Sequence, residues 1–243
     1  MIKRILVVGG ANGIGLSIAS ELAKRDEVEK VYIVDKASLS EEFNNSKFES
    51  FQFDLTNDEY SFFDRFEDIN ALMITAGFGK LALFKDVPES HIMNSFNVNT
   101  IPVLRLVHKF YDRLDAKEDF YCGVMGSIAG FMSSPFFAVY GATKAALKIF
   151  IESVNVELLK GGSNNVILNV SPGTIKGSSF YGKASDLNLL HDLAIDIIRH
   201  LEDKSDLFIP KYEEVFKEVL TRYHDDFRKE GAHSYDYKLN SKR

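Results

Sequence analysis

The sequence predicts an α/β fold of the doubly wound, Rossmann type: one parallel sheet in three α/β/α layers. Short apolar, β-branched runs alternate with stretches of helical periodicity through the first two hundred residues. The runs are nearly continuous in apolar residues, as expected of strands covered by helices on both faces. Neither an internal repeat nor a Gly/Ser/Pro linker interrupts the pattern.

In chain order the expected strands are residues 5–8, 31–34, 51–53, 71–75, 121–125 and 166–170. Helical spacing marks 14–24, 95–114 and 139–159, and 57–66 reads as a shorter helix or helical turn. After Phe208-Ile209-Pro210 the composition changes. Residues 212–228 read as a polar helix and 230–243 as a charged tail, loose or docked on a partner. The expected division is therefore a nucleotide-binding and catalytic domain over 1–210, with 211–243 as a C-terminal helix and tail packed on it or extending from it.

Composition narrows the function classes. The 243 residues carry 29 Lys and Arg against 35 Asp and Glu, a net charge of −6, without the basic surplus of a nucleic-acid binder. The single cysteine excludes an internal disulfide and fits a reducing compartment. The apolar run at 5–8 is much shorter than a signal-peptide core, and no stretch reaches the ~18 apolar residues of a spanning helix. A cytoplasmic protein that binds neither nucleic acid nor membrane is expected. The six histidines are scattered without metal-ligand spacing, so no metal site is expected.

The first expected strand runs into Gly9, Gly10, Ala11, Asn12, Gly13, Ile14 and Gly15, and a helix follows. Glycines permit positive φ and close backbone approach, and a helix start offers free N–H groups to a pyrophosphate. The spacing, Gly9-x3-Gly13-x-Gly15, differs from the general G-x-G-x-x-G fingerprint. Asp35 ends the second expected strand, where a carboxylate can accept hydrogen bonds from adenosine ribose hydroxyls and repel a 2′-phosphate. Only Lys36 speaks for NADP, so NAD is the expected cofactor.

Tyr140 and Lys144 stand one helical turn apart on one face. An ammonium beside a phenol favours the phenolate and brings the pKa down from ~10, which makes the tyrosine a workable acid or base. Ser127 follows the strand expected at 121–125, at the carboxyl end where ligands of open α/β sheets bind.

These motifs, taken in order, resemble the classical short-chain dehydrogenases/reductases over about residues 2–210. The glycine turn is followed by Asp54-Leu55, Thr75-Ala76-Gly77, Asn97-Val98-Asn99-Thr100, Ser127, Tyr140-Gly141-Ala142-Thr143-Lys144 and Pro172-Gly173. The resemblance implies that Asn99, Ser127, Tyr140 and Lys144 form the catalytic set. In that scheme Tyr140 exchanges a proton with the substrate oxygen, Ser127 hydrogen-bonds that oxygen, Lys144 holds the nicotinamide ribose, and Asn99 supports a water-linked proton path. It also implies that Asp54, Leu55, Ala76, Gly77, Pro172, Gly173 and Ile175 join the glycine turn, Asp35 and Lys36 around the dinucleotide. A homodimer or homotetramer through the helices at 95–114 and 139–159 is implied as well.

The sequence departs from the family pattern at three places. Val8 stands where the family has Thr, Thr75 stands within its Asn-Asn-Ala-Gly, and Gly177, followed by Ser178, replaces a Thr that contacts the nicotinamide carboxamide. Phe131, Met132, Phe136, Phe137, Phe180 and Tyr181 flank the proposed centre and read either as the lining of an apolar substrate pocket or as core. Lys176 and Lys183 are the only anion partners expected near it. With just 12 residues between Gly173 and Asp186, the cover reads as a short lid over an open cleft. The expected reaction is hydride transfer between NAD(H) and a mainly apolar ketone or secondary alcohol. Two rivals are a non-catalytic nucleotide-binding scaffold and an NADP-dependent 3-oxoacyl-carrier reductase.

Overall fold

A computed structural model describes residues 1–178, 180 and 185–240. Seven parallel strands form one sheet in the order β3-β2-β1-β4-β5-β6-β7. They are β1 Arg4–Val8, β2 Lys30–Asp35, β3 Phe48–Gln52, β4 Ala71–Ile74, β5 Tyr121–Met125, β6 Ile167–Val170 and β7 Leu207–Phe208. After β3 the chain crosses back to place β4 on the other side of β1, so the carboxyl ends of β1 and β4 flank the switch point at which open α/β sheets bind ligands.

Alternate side chains of each central strand enter opposite cores. Leu6, Val8, Leu72, Ile74, Cys122 and Val124 pack with Val103, Leu106 and Val107 of α3 (Ile101–Lys109) and Leu147, Ile151 and Leu158 of α5 (Ala138–Gly161). Ile5, Val7, Val31, Ile33 and Met73 point the other way. There they meet Ile18 and Leu22 of α1 (Gly13–Ala23) and Ala194, Ile197 and Ile198 of α6 (Leu187–Glu202). Two faces, each sealed by its own helices, make the three layers.

The differences from the sequence expectation have local causes. The stretch 95–114 is not one helix but α2 Glu89–Asn99, α3 and α4 Tyr111–Leu114. Pro102, which has no N–H and crowds the carbonyl four residues back, stands in the first turn of α3. α2 in turn starts earlier than expected, with Pro88 as its N-cap. The strand expected at 51–53 lies at Phe48–Gln52. Phe53 falls past its end, where its ring stacks on Phe62 with centroids 4.6 Å apart. The Phe-rich stretch Tyr60–Phe66 is a 3-10 helix that buries Tyr60, Phe63 and Phe66 against the sheet. β7 is too short to register as an apolar run.

The largest correction concerns the C-terminus. Residues 212–240 form a π turn at Tyr212–Phe216, then α7 Lys217–Asp225 and α8 Phe227–Asn240, so the expected charged tail is a helix. α8 docks on its own chain. The Tyr235 ring stacks on Phe136 at 4.7 Å, and Gly231 lies where a Cβ would stand 3.1 Å from Ser133 Oγ. Arg222 of α7 donates two hydrogen bonds, of 2.8 and 3.1 Å, to the buried Glu230 and holds that carboxyl below its usual pKa. Among the described residues, no helix is long and apolar enough to cross a membrane.

Candidate active site

The turn from β1 to α1 is shaped by steric exclusion. Gly9 has φ +86°, and a Cβ there would lie 2.4 Å from Ala76 N; one on Gly15 would lie 2.3 Å from Gly9 O. Only bare backbone fits between the ends of β1 and β4. Thr75 adds a hydroxyl 2.9 Å from Gly9 O and 3.1 Å from Val8 O. The family's Thr before the first glycine is Val8 here, and the hydroxyl stands across the gap on Thr75.

Asp35, at the end of β2, is half-buried. Its carboxylate accepts from Ala11 N at 3.1 Å and from Ala37 N at 3.0 Å. Asp54 accepts from the backbone N–H and the hydroxyl of Thr56, which lower its pKa. At the helix start, Gly13 N donates to Ser185 Oγ at 2.9 Å, bringing the segment before α6 back over the turn. Sequence inspection gave no role to Ser185, because its partner lies 172 residues away.

A cleft of ≈ 920 Å³ runs from this turn across the carboxyl ends of the strands. Of the residues expected around a dinucleotide, Gly9, Asn12, Gly13, Ile14, Gly15, Asp35, Lys36, Asp54, Leu55, Ala76, Gly77, Pro172, Gly173 and Ile175 line it. Ala11 is buried behind the turn and serves Asp35 instead. The cradle, the helix start and the strand-end carboxylate together fit an adenine dinucleotide.

Farther along, Ser127 and Tyr140 face the cleft, whereas Asn99 and Lys144 lie beneath its floor. Ser127 Oγ accepts from Ala129 N at 3.2 Å at the end of β5, and Ile128 N donates to Pro172 O, tying the loops after β5 and β6 together. Lys144 is 3% exposed. Its ammonium donates to Met125 O at 2.7 Å and sits 5.7 Å from the Tyr140 ring centroid. Burial pulls its pKa down to about 8. Asn99 accepts from Phe78 N and donates to Phe78 O, both at 2.9 Å, and also donates to Thr143 Oγ1 at 3.2 Å, so it latches the loop after β4 onto α5. A Cβ at Gly77 would stand 3.3 Å from Asn99 Oδ1 and 3.5 Å from Lys144 Nζ. The bare glycine leaves the ammonium close to the cleft.

Of the apolar and aromatic residues expected in the pocket, Met132, Phe137 and Phe180 line it. The Phe137 and Phe180 rings lie 5.6 and 5.2 Å from that of Tyr140. Phe131 and Phe136 do not face the cleft. Lys148 sits over the Phe131 ring at 5.2 Å, and Phe136 is the platform for Tyr235. Tyr181 and Lys183 lie outside the described residues. The cleft is also less open than the short lid suggested, because Val215, Phe216, Val219, Glu230, His233, Ser234, Tyr237 and Lys238 of the C-terminal segment form one of its walls. Phe216 presses on Gly173, where a Cβ would meet the ring at 2.5 Å.

The short chain dehydrogenase model matches residues 3–186. The chain belongs to that family, the short-chain dehydrogenases/reductases. An uncharacterized oxidoreductase of Saccharomyces cerevisiae is 26% identical over 221 residues, covering 81% of this chain and 70% of the yeast protein. A short-chain dehydrogenase of Neurospora crassa is 26% identical over 204 residues, covering 76% and 69% of the two chains. Among solved structures, a short chain dehydrogenase/reductase from Burkholderia phymatum in complex with NAD superposes with a TM-score of 0.80 at 16% identity, over 93% of this chain and 94% of that one. A short-chain dehydrogenase from Sphingobium yanoikuyae in complex with NADPH reaches 0.73 at 22% identity, over 92% and 95%.

Burial of Lys144 has a consequence for stability. Its folded pKa, about 8, is below its ordinary 10.5, so folding disfavours the charged form, and this penalty is fully present below about pH 8. Between about 8 and 10.5 the unfolded chain binds the extra proton, and native stability rises with pH. Urea denaturation across this range should show the native protein gaining stability relative to Lys144→Met.

Proposed function

We propose that this protein is an NAD-dependent dehydrogenase or reductase that interconverts a secondary alcohol and a ketone. The observation that carries the proposal is that Ser127 and Tyr140 line one cleft, with the Lys144 ammonium 5.7 Å from the Tyr140 ring and a glycine cradle shaped for a dinucleotide in the same cleft. When bound, the nicotinamide cofactor supplies or accepts the hydride.

The chain's own residues manage the proton. The Tyr140 hydroxyl donates to the carbonyl oxygen in reduction and receives the alcohol proton in oxidation. Lys144, held by Met125 O, stabilises the phenolate through space, an effect strengthened by the low polarity around a buried ammonium. The Ser127 hydroxyl donates to the same substrate oxygen and fixes its position, while Ala129 N keeps the Ser127 side chain oriented. Asn99 acts as a positioning residue, since its amide is engaged with Phe78 and Thr143.

Asp35 supports NAD over NADP. It stands at the end of β2 facing the cleft, where its charge opposes a 2′-phosphate. The apolar rings of Phe137, Phe180 and Phe216 and the side chains of Val215 and Val219 support a substrate with a mainly apolar body. Exposed apolar side chains on α3 and α5, namely Ile101, Ile149, Val156 and Leu159, support assembly as a homotetramer built on a two-fold contact.

Tyr140→Phe should lower kcat for 4-phenyl-2-butanone and related apolar ketones by about 10²–10⁴, followed by NADH absorbance, with NADH affinity retained. Asp35→Ala should narrow a preference of roughly ten- to a hundredfold for NAD(H) over NADP(H), measured by titration calorimetry with both cofactors. Light scattering at micromolar concentration should give a mass well above the 27.4 kDa of one chain.

A further inference from the structure

Lys238, near the end of α8, brings a positive charge to the cleft wall. Its ammonium donates to Ser134 Oγ at 2.7 Å and to Pro135 O at 3.0 Å, and it sits over the Phe137 ring, 5.4 Å from the centroid. The Phe137 ring is in turn 5.6 Å from that of Tyr140. Among the described residues no carboxylate pairs with this ammonium. The acidic side chain closest to it in sequence along the cleft wall, Glu230, is committed to Arg222 by two hydrogen bonds. Arg222 also binds Glu218, and so contributes no spare charge.

A half-buried cation held by two neutral acceptors is an unbalanced charge beside an apolar pocket. Burial lowers its pKa to about 8, so the ammonium is still predominantly charged at neutral pH. Met132 and Phe137 line the same cleft, as do the hydroxyl-bearing residues Ser134, Ser234 and Tyr237. Such a site suits an anion at the far end of an otherwise apolar molecule. A single lysine with hydroxyls around it fits a carboxylate, whereas phosphate recognition usually draws on an arginine fork or a helix N-terminus.

We propose that Lys238 is a specificity residue that binds a carboxylate on the substrate, remote from the carbon that reacts at Tyr140, so that the enzyme acts on oxo-acids or hydroxy-acids with an apolar body. The inference rests on the dehydrogenase reading of the same cleft and names its substrate class. It extends the apolar-ketone expectation, in which only Lys176 and Lys183 were available to an anion. α8 supplies a cation that the sequence order concealed, ninety-eight residues after Tyr140.

The test compares 4-acetylbenzoate and 6-oxoheptanoate with their methyl esters, each titrated calorimetrically into the protein with and without NADH and assayed for NADH oxidation. The native protein should bind the acids roughly ten- to a hundredfold more tightly than the esters, as one charge-assisted hydrogen bond in a partly enclosed site provides. Lys238→Met should erase that difference by weakening the acids alone, raising their KM with little change in kcat, and Lys238→Arg should retain most of it. Equal binding of acid and ester by the native protein, or a preference that survives Lys238→Met, overturns the proposal. So does equal weakening of acid and ester in Lys238→Met, which marks Lys238 as a mere clamp on the loop at Ser134. Tighter binding of 4-acetylphenyl phosphate than of 4-acetylbenzoate overturns the carboxylate assignment. Acid binding that depends on Lys238 without any NADH oxidation supports the anion site and removes the dehydrogenase reading.

Discussion

The close approach of β1 to β4 is the constraint on which the rest of the architecture depends. Gly9 and Gly15 have no room for a Cβ, and Thr75 bridges the same gap with its hydroxyl. Gly9 N reaches across to Val34 O at 2.7 Å, so the turn is also fastened to β2. With the backbone fixed there, α1 starts at the mouth of the switch point and Asp35 arrives at the same edge. The loop bearing Ala76 and Gly77 then passes over the floor that hides Lys144. Removing any one of these fits would displace the others, because they share the same few ångströms of backbone.

Much of this was legible in the chain. Buried parallel strands need nearly continuous apolar runs, and β1, β2, β4 and β5 carry them, while β6 is interrupted only by Asn169. The candidate site residues stand out in the sequence for a different reason: a turn without side chains, a strand-end acid and a Tyr/Lys pair one helical turn apart are local patterns whose chemistry depends on spacing. Their surroundings were harder to read. The break between α2 and α3 depends on Pro102, and a strand as short as β7 is defined by its neighbour, Val170 opposite Phe208, rather than by its own residues. Phe131 and Phe136 lie close to Ser127 in sequence yet turn away from the cleft, since proximity along a loop does not fix the direction of a ring.

α8 shows the limit most clearly. Its residues are mostly polar, so no periodic apolar face announces it. What holds it in place is nonlocal: Arg222 on Glu230, Tyr235 on Phe136, Lys238 on Ser134 and Pro135, and Gly231 against Ser133. Each partner lies on the loop before α5 or on the preceding helix. A helix stabilised by docking gives little sign of itself in a reading based on composition and period.

The shared family pattern ends at residue 186, whereas the cleft wall from Val215 to Lys238 lies entirely beyond it. The glycine turn, Asp35, Ser127, Tyr140 and Lys144 thus lie in the stretch common to the family, and the wall from Val215 to Lys238 comes from a separate length of chain joined to it through α6 and β7. Substitutions along α7 and α8 would reshape the outer wall while leaving the backbone cradle at Gly9 and the buried Lys144 beneath Gly77 untouched, since no backbone is shared between them.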